Sequence, residues 1–396
     1  MKIRVTLFDG NREIARAEAA AELDFSPALR LTVPAAARHL WEPGHPYLYD
    51  LRFELLTADG SVSDTAKSYA GLRSVSFDGK KVLINGKPVF QRQVLDQGYY
   101  PDGIMTAPSD AALVRDIELS LAAGFNTARL HQKLFEERFL YHADRLGYLV
   151  WGEFGDWGVH HRNSHHSAGY YRDSDPWDHF AHNAMFQQWL EALDRDYNHP
   201  SIVGWCPLNE SERTGNDDRI NSLDDLTRGL FLATKAMDLT RPVLDVSGYC
   251  HRVPETDVYD SHNYEQDPSK LAKSYSELNN GNPYYNGSTV WSQTPYAGQP
   301  YFCSEFGGIK WSPEQADSQA SWGYGQTPKS LEEFYDRFAA LCRVLREHPD
   351  MFGYCYTQLT DVFQEQNGIY FFDRTAKFDM EKIRQAQMIP AACERE

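Results

Sequence analysis

Positive charge is scarce in this chain: 39 lysines and arginines stand against 56 aspartates and glutamates, a formal net charge of −17. Nucleic-acid binding draws most of its affinity from cations set against phosphates, so this balance argues against a polyanionic partner and fits a neutral substrate better. Long apolar runs are also missing, with nothing near the ~18 residues that would cross a bilayer. The opening Met1-Lys-Ile-Arg-Val-Thr-Leu-Phe-Asp-Gly10 lacks the apolar core of a secretory signal. The expectation is a soluble, cytoplasmic protein with no membrane partner. Cysteine is thinly spread: Cys206, Cys250, Cys303, Cys342, Cys355 and Cys393 form no CxxC pair, which predicts free thiols and a reducing compartment. No GxGxxG or GxxxxGK[ST] stands in the right context, so a nucleotide-dependent enzyme is a distant reading. No HExxH or tight ligand spacing accompanies His160-His161 and His165-His166, which read as a solvated loop, and neither metal nor cofactor is expected.

What the chain does have is bulk and aromatic surface. Its 396 residues, 42% hydrophobic, suffice for a barrel-sized domain plus a smaller one. Nine tryptophans and 23 tyrosines exceed what a core alone asks for, and aromatic faces stack well on the C–H faces of sugar rings. About half of them are assigned to packing, Trp151 and Trp205 among these.

Residues 1 to about 70 alternate in period two, at Ile3, Val5 and Leu7, at Leu29, Leu31 and Val33, and at Leu48, Leu51, Phe53 and Leu55. This is too few strands for a complete β-sandwich, which needs about seven, so a partial immunoglobulin-like β-sandwich is expected over 1–72. From 73 to 396 strands alternate with helices: strands at 89–94, 125–130, 148–153, 202–208, 242–246, 258–262, 301–305 and 352–357, and helices at 110–123, 136–146, 178–197, 222–239 and 331–348. Eight such units predict an α/β protein with a (β/α)8 TIM barrel, a doubly wound sheet being the runner-up.

Two segments then take on chemical meaning. Ser201-Ile-Val-Gly-Trp-Cys-Pro-Leu-Asn-Glu210 and Tyr301-Phe-Cys-Ser-Glu305 each run from an apolar strand into a glutamate, and a buried carboxylate needs a partner or a use. Barrel enzymes place catalytic groups at the C-terminal ends of strands. That rule gathers Asp96, Arg129, His131, Glu153, Trp157, Glu210, His262, Tyr264, Glu305, Gln358 and Asp361 on one rim. Asp96 and Asp361 are equally open to sugar binding and to simple capping or pairing with Arg92 or Arg374. The Tyr264 to Tyr301 segment reads as a long loop whose Tyr284, Tyr285, Trp291 and Tyr296 favour a lid.

At this point the residues resemble glycoside hydrolase family 2, part of the clan of retaining glycosidases with acid/base on strand four and nucleophile on strand seven. Four ordered stretches carry the resemblance: Trp41-Glu-Pro-Gly-His-Pro-Tyr-Leu-Tyr49, Gly71-Leu-Arg73 with Ile84-Asn-Gly-Lys-Pro88, Asn198-His-Pro-Ser-Ile-Val-Gly-Trp205 leading to Asn209-Glu210, and Ser304-Glu305-Phe-Gly-Gly308. The resemblance implies that Asn209 binds the hydroxyl beside the anomeric carbon, that Arg129 holds the nucleophile and that Tyr264 touches nucleophile or sugar. It also implies an upstream jelly roll, so the chain is expected to be truncated at its N-terminus. The sequence departs from the family's galactosidases and glucuronidases at Arg92 to Tyr100 and Leu130 to Lys133, and no Asn-x-Lys stands near Asn367.

The expected activity is therefore a retaining exo-glycosidase acting on O-glycosidic bonds of a small glycoside, with Glu305 as nucleophile and Glu210 as acid/base. A structural ion pair is the bland alternative for these two. A barrel that binds carbohydrate but has lost turnover is the rival function. The sequon at Asn209 is coincidental in a cytoplasmic chain, and homo-oligomerisation is left open.

Overall fold

The computed structural model describes residues 1–21, 27–155, 178–211, 221–286, 294–312 and 321–395. The alternation at Ile3, Val5 and Leu7 becomes β1 (Lys2–Asp9), which reverses at Gly10, φ +57°, into β2 (Arg12–Ala20). With β3 (Tyr49–Leu56) and β4 (Val62–Ala70) these form an antiparallel sheet in the order β2-β1-β3-β4. The strand expected at 29–33 does not form. Its side chains alternate between half-buried and exposed, but no neighbouring strand supplies a ladder. A second antiparallel sheet, β5 (Val75–Asp78), β6 (Lys81–Ile84) and β7 (Lys87–Pro88), follows. Val82 and Ile84 pack with Trp41, Trp151, Phe302 and Phe352 and so close the floor of the barrel.

The barrel strands are β8 (Gln91–Asp96), β9 (Thr127–Leu130), β10 (Leu149–Glu153), β11 (Ile202–Cys206), β12 (Tyr259–Asn263), β13 (Tyr301–Gly307) and β14 (Met351–Thr357). They are parallel and ordered β11-β10-β9-β8-β14-β13-β12, so chain order steps round the ring and excludes the doubly wound arrangement. Every residue of these seven strands is buried, as expected for strands covered on both faces. The covering helices are α1 (Asp110–Ala122), α2 (Glu137–Leu146), α3 (Asp178–Asp196), α4 (Asn221–Met237), α5 (Pro268–Tyr275), α6 (Leu331–Glu347) and α7 (Met380–Gln387). Ser109 and Ser330 cap α1 and α6 by accepting backbone N–H groups, and Gly147, in the left-handed region, ends α2. On α6, Phe334, Phe338, Leu341 and Leu345 recur at helical spacing on the buried face, and each contributes roughly 1.5–3 kcal/mol of burial.

Two expectations need correction. The fifth strand, expected at 242–246, is reduced to bridges pairing Trp205 with Val243 and Asn209 with Ser247. On its other side Asp257 Oδ2 accepts the Val243 N–H at 2.9 Å and Thr256 Oγ1 the Asp245 N–H at 3.2 Å, so side chains stand where a ladder would run. Likewise 264–301 is not one long loop. Asp267 caps α5 by accepting the Ser269 N–H, Pro268 occupies the first turn, and Leu271 and Tyr275 form its buried face.

The N-terminal sheet is fastened beneath the strand that leads to Glu210. Tyr69 Oη donates to Asp144 Oδ2 at 2.7 Å and Trp41 Nε1 to the Asp144 carbonyl at 2.6 Å. Asp144 also receives the Ser201 N–H at 2.9 Å, while Arg73 donates to the carbonyls of Pro200 and Ile202 at 3.0 and 2.8 Å.

Candidate active site

Register brings the first pair together: His262 on β12 lies opposite Glu305 on β13. Glu210, just beyond β11, arrives from the other side. Its backbone is in the left-handed region, φ +52°, and is held there by a hydrogen bond from its N–H to the Ser247 carbonyl at 2.7 Å. Holding a non-glycine residue this way costs of the order of 1–3 kcal/mol, a strain of the kind found at functional sites. Glu210 Oε1 is 2.6 Å from His262 Nδ1, and one donor atom each from Glu210, His262 and Glu305 lie within 4.8 Å of one another.

Arg129 stands against Glu305, fully buried. Its Nη2 donates to Glu305 Oε1 and, at 2.9 Å, to Asn209 Oδ1; its Nη1 donates to Ser247 Oγ and to the Ser304 carbonyl at 3.2 Å. Its Nε lies 3.0 Å from Glu153 Oε2, an ion-pair contact without hydrogen-bond alignment. Tyr264 Oη donates to Glu305 Oε2, and its ring stacks on Tyr324 with centroids 3.4 Å apart. Burial, then the Glu305 charge, holds the Tyr264 hydroxyl well above its usual range, so it remains a donor.

The two histidines are shifted in opposite directions. Burial opposes the charge of His131, but Glu153, 3.0 Å from its Nδ1, outweighs this and raises its pKa. Burial dominates at His262 and pushes it down to about 4, so its ring is neutral at ordinary pH. The Glu210, His262 and Glu305 donors could in principle face a metal ion. Arg129, on Glu305 and 3.4 Å from His262 Nε2, already brings the positive charge an ion would supply, which makes the trio better suited to moving protons.

Glu210, Glu305, Asn209, Arg129, His131, His262 and Tyr264 therefore converge. Gln358 borders them through a network in which it accepts from Gln97 at 2.8 Å and donates to Asn367 at 2.9 Å. Asp96 does not join. It accepts the Gly98 N–H at 2.9 Å and faces Asp116, Arg374 and Lys133. Asp361 is clamped by Lys377 Nζ at 2.6 Å and the Gly368 N–H at 2.8 Å; neither aspartate pairs with Arg92, which binds Glu394, or with Arg374, which binds Asp116. Trp157, the paired histidines at 160–161 and 165–166, and Trp291 lie outside the described residues. Nor do Tyr284 and Tyr296 form a lid. They pack on Tyr275, Tyr259 and Tyr301, beside the starting ends of β12 and β13 and away from the mouth, where large rings gain most from core contact. The six cysteines are buried, with no disulfide among the described residues.

Sequence reasoning missed Glu365, Tyr324, Ser247 and Asp260. Glu365 accepts from Asn367 at 3.1 Å, and burial raises its pKa, with Glu305 adding to the rise and His131 opposing it. It sits in an irregular segment whose sequence carries no periodic signal.

Comparison with known proteins matches residues 75–389 to the glycosyl hydrolases family 2 TIM barrel domain and residues 1–73 to a second glycosyl hydrolases family 2 domain. The chain belongs to glycosyl hydrolase family 2. Among relatives of this family 2 chain are a β-glucuronidase of Streptococcus agalactiae, 26% identical over 58% of the chain and 37% of that protein, and one of Rattus norvegicus, 32% identical over 55% and 31%. A β-galactosidase of Enterobacter cloacae is 28% identical over 54% of the chain and 19% of its own length, so this chain spans only part of its relatives. In fold it is similar to a β-D-glucuronidase of Dictyoglomus thermophilum, TM-score 0.73 and 21% identity over 98% of this chain and 64% of that one. The β-glucuronidase of Ruminococcus gnavus gives a TM-score of 0.77 at 18% identity over the same shares of the two chains.

Proposed function

We propose that this chain is a retaining, exo-acting glycoside hydrolase that cleaves the O-glycosidic bond of a β-glycoside by double displacement. The observation that carries the reading is the approach of Glu210 and Glu305 to within 4.8 Å, close to the ~5–5.5 Å carboxyl separation of retaining enzymes and too short for the water an inverting enzyme must admit. In the first step Glu210 donates its proton to the leaving oxygen while Glu305 attacks the anomeric carbon, forming a glycosyl ester. Arg129 and Tyr264 direct the Glu305 oxygens, and Asn209, oriented by Arg129, is placed for the neighbouring sugar hydroxyl. Once Glu305 is esterified its charge is gone, and Glu210, now ionised, takes a proton from water that attacks the ester.

Relatives named for both glucuronides and galactosides make these the sugars to test first. A panel of nitrophenyl β-glycosides tests the assignment. Glu305→Gln is expected to abolish turnover, and Glu210→Ala to retain slow cleavage of good leaving groups and to be accelerated by azide. Full activity in Glu305→Gln would refute it, while sugar binding without hydrolysis by the intact protein would favour the binding role.

A further inference from the structure

Behind the catalytic groups a row of buried polar side chains joins Asp245 to Glu210. Asp245 Oδ1 is 2.7 Å from His251 Nδ1, and His251 Nε2 is 3.1 Å from Asp260 Oδ1. Asp260 Oδ2 receives Ser304 Oγ, the Gly248 N–H at 3.1 Å and Ser247 Oγ at 3.1 Å. Ser247 Oγ then lies 3.0 Å from His262 Nε2, whose ring partner Nδ1 meets Glu210 at 2.6 Å.

Donor and acceptor chemistry sets the direction of each bond in turn. An ionised carboxylate only accepts, so Ser247 must give its single proton to Asp260. An arginine only donates, so Ser247 accepts from Arg129 Nη1. The hydroxyl has one lone pair left, and it can serve His262 only if Nε2 carries a proton; Arg129 Nη1 also lies 3.4 Å from Nε2, but its two N–H groups are taken by Ser247 Oγ and the Ser304 carbonyl, and Glu305 Oε1, 3.4 Å away, is a second acceptor for the Nε2 proton. His262 is neutral, so its Nδ1 is then a bare acceptor, and the contact with Glu210 is a hydrogen bond only when Glu210 is the donor.

We propose that Asp260, held by His251 and Asp245, is a positioning residue that fixes the Nε2–H tautomer of His262 and thereby keeps on Glu210 the proton that the leaving group needs. Asp260 acts through two intermediaries and never meets the sugar. His251 is well matched to Asp260. Burial opposes its charge, but the carboxylates of Asp245 and Asp260 outweigh burial and raise its pKa well above the ordinary value. The inference rests on the acid/base role given to Glu210. Among the described residues, the other charged or titratable groups facing Glu210 and His262 include Glu305, Arg129, His131, Tyr249, Tyr264 and Tyr324, none of which can reverse the Ser247 hydroxyl.

Asp260→Asn in the full chain tests the relay. The amide can donate to Ser247, which then donates to His262 Nε2, moves the ring proton to Nδ1 and favours ionised Glu210. The basic limb of the kcat/KM profile is expected to fall by about one pH unit, and alkyl glycosides to slow by roughly tenfold, a fraction of the 10²–10⁴ supplied by general acids. Dinitrophenyl glycosides, which leave without a proton, should keep their rate. Nitrogen-15 spectra of labelled histidine should show His262 as Nε2–H in the parent and Nδ1–H in the variant, a readout that does not depend on turnover. Should Asp260→Asn fail to fold, Ser247→Ala removes only the hydroxyl and should move the limb the same way. A folded variant of either kind with the parental basic limb and the parental His262 tautomer overturns the proposal. If the parent hydrolyses no glycoside, it is the reading of Glu210 that falls, and the spectra alone decide the tautomer.

Discussion

Replacing Arg129 by methionine keeps a linear, partly apolar stem and removes the charge that two buried carboxylates share. Glu153 would retain His131 at 3.0 Å, whereas Glu305 would keep only the Tyr264 hydroxyl and His262, which is neutral. One carboxylate is thus left without a cation, and breaking a buried pair from one side costs about 3–5 kcal/mol. The loss should depend on pH, because the stranded carboxyl will take up a proton. Its folded pKa rises above the ~4.3 of an unfolded glutamate, so the variant is at its best below that value and loses stability as pH climbs through the folded pKa. A rise of about two units would return about 2.7 kcal/mol at the acid end. Thermal and urea midpoints of parent and variant, measured from about pH 4.5 to 8, should therefore lie closest in acid and diverge toward neutrality, while turnover disappears throughout. A loss under about 1 kcal/mol, or the same loss at every pH, would refute the claim that Arg129 neutralises these groups.

Burial, with Asp116 adding to it, pushes Asp96 up to about 7, so its contribution to stability is present below about 3.9 and declines as pH rises through 7; Asp96→Asn should flatten that part of the melting-temperature profile by a few kcal/mol, and an unchanged slope would count against it. Lys377 is buried against Asp361, so Lys377→Met should cost about 3–5 kcal/mol by leaving that carboxylate stranded, and adding Asp361→Asn should recover most of the loss. Unfolding midpoints of the two single variants and the double variant will show it; a single variant as stable as the parent would contradict the pairing.

The barrel was legible because strands buried on both faces read as short apolar runs, as in Ile202–Cys206 and Met351–Thr357. The fifth strand reads the same way, but the side chains of Thr256 and Asp257, some ten residues on, accept its N–H groups where a full ladder would run. The two glutamates stood out through their position at strand ends. Asp361 could not be resolved from sequence, since Arg374 and Lys377 both lie close along the chain and only folding selects the lysine. Ser247 and Asp260 were silent for a different reason: a small hydroxyl and an acid within a strand carry no spacing signal, and their meaning lies in which neighbour holds a proton.

The thin fifth strand has a consequence for how this wall of the barrel can change. Elsewhere neighbouring staves are joined by main-chain ladders, which hardly register a substitution. Between 243 and 260 one main-chain bond, from the Asp257 N–H to the Val243 carbonyl, is joined by side-chain bonds of Thr256, Asp257 and, through Ser247, Asp260, so individual codons hold much of the seam beside the acid/base. Drift or engineering can therefore retune the spacing and proton affinity of the catalytic mouth there, one residue at a time, while the rest of the ring stays as it is.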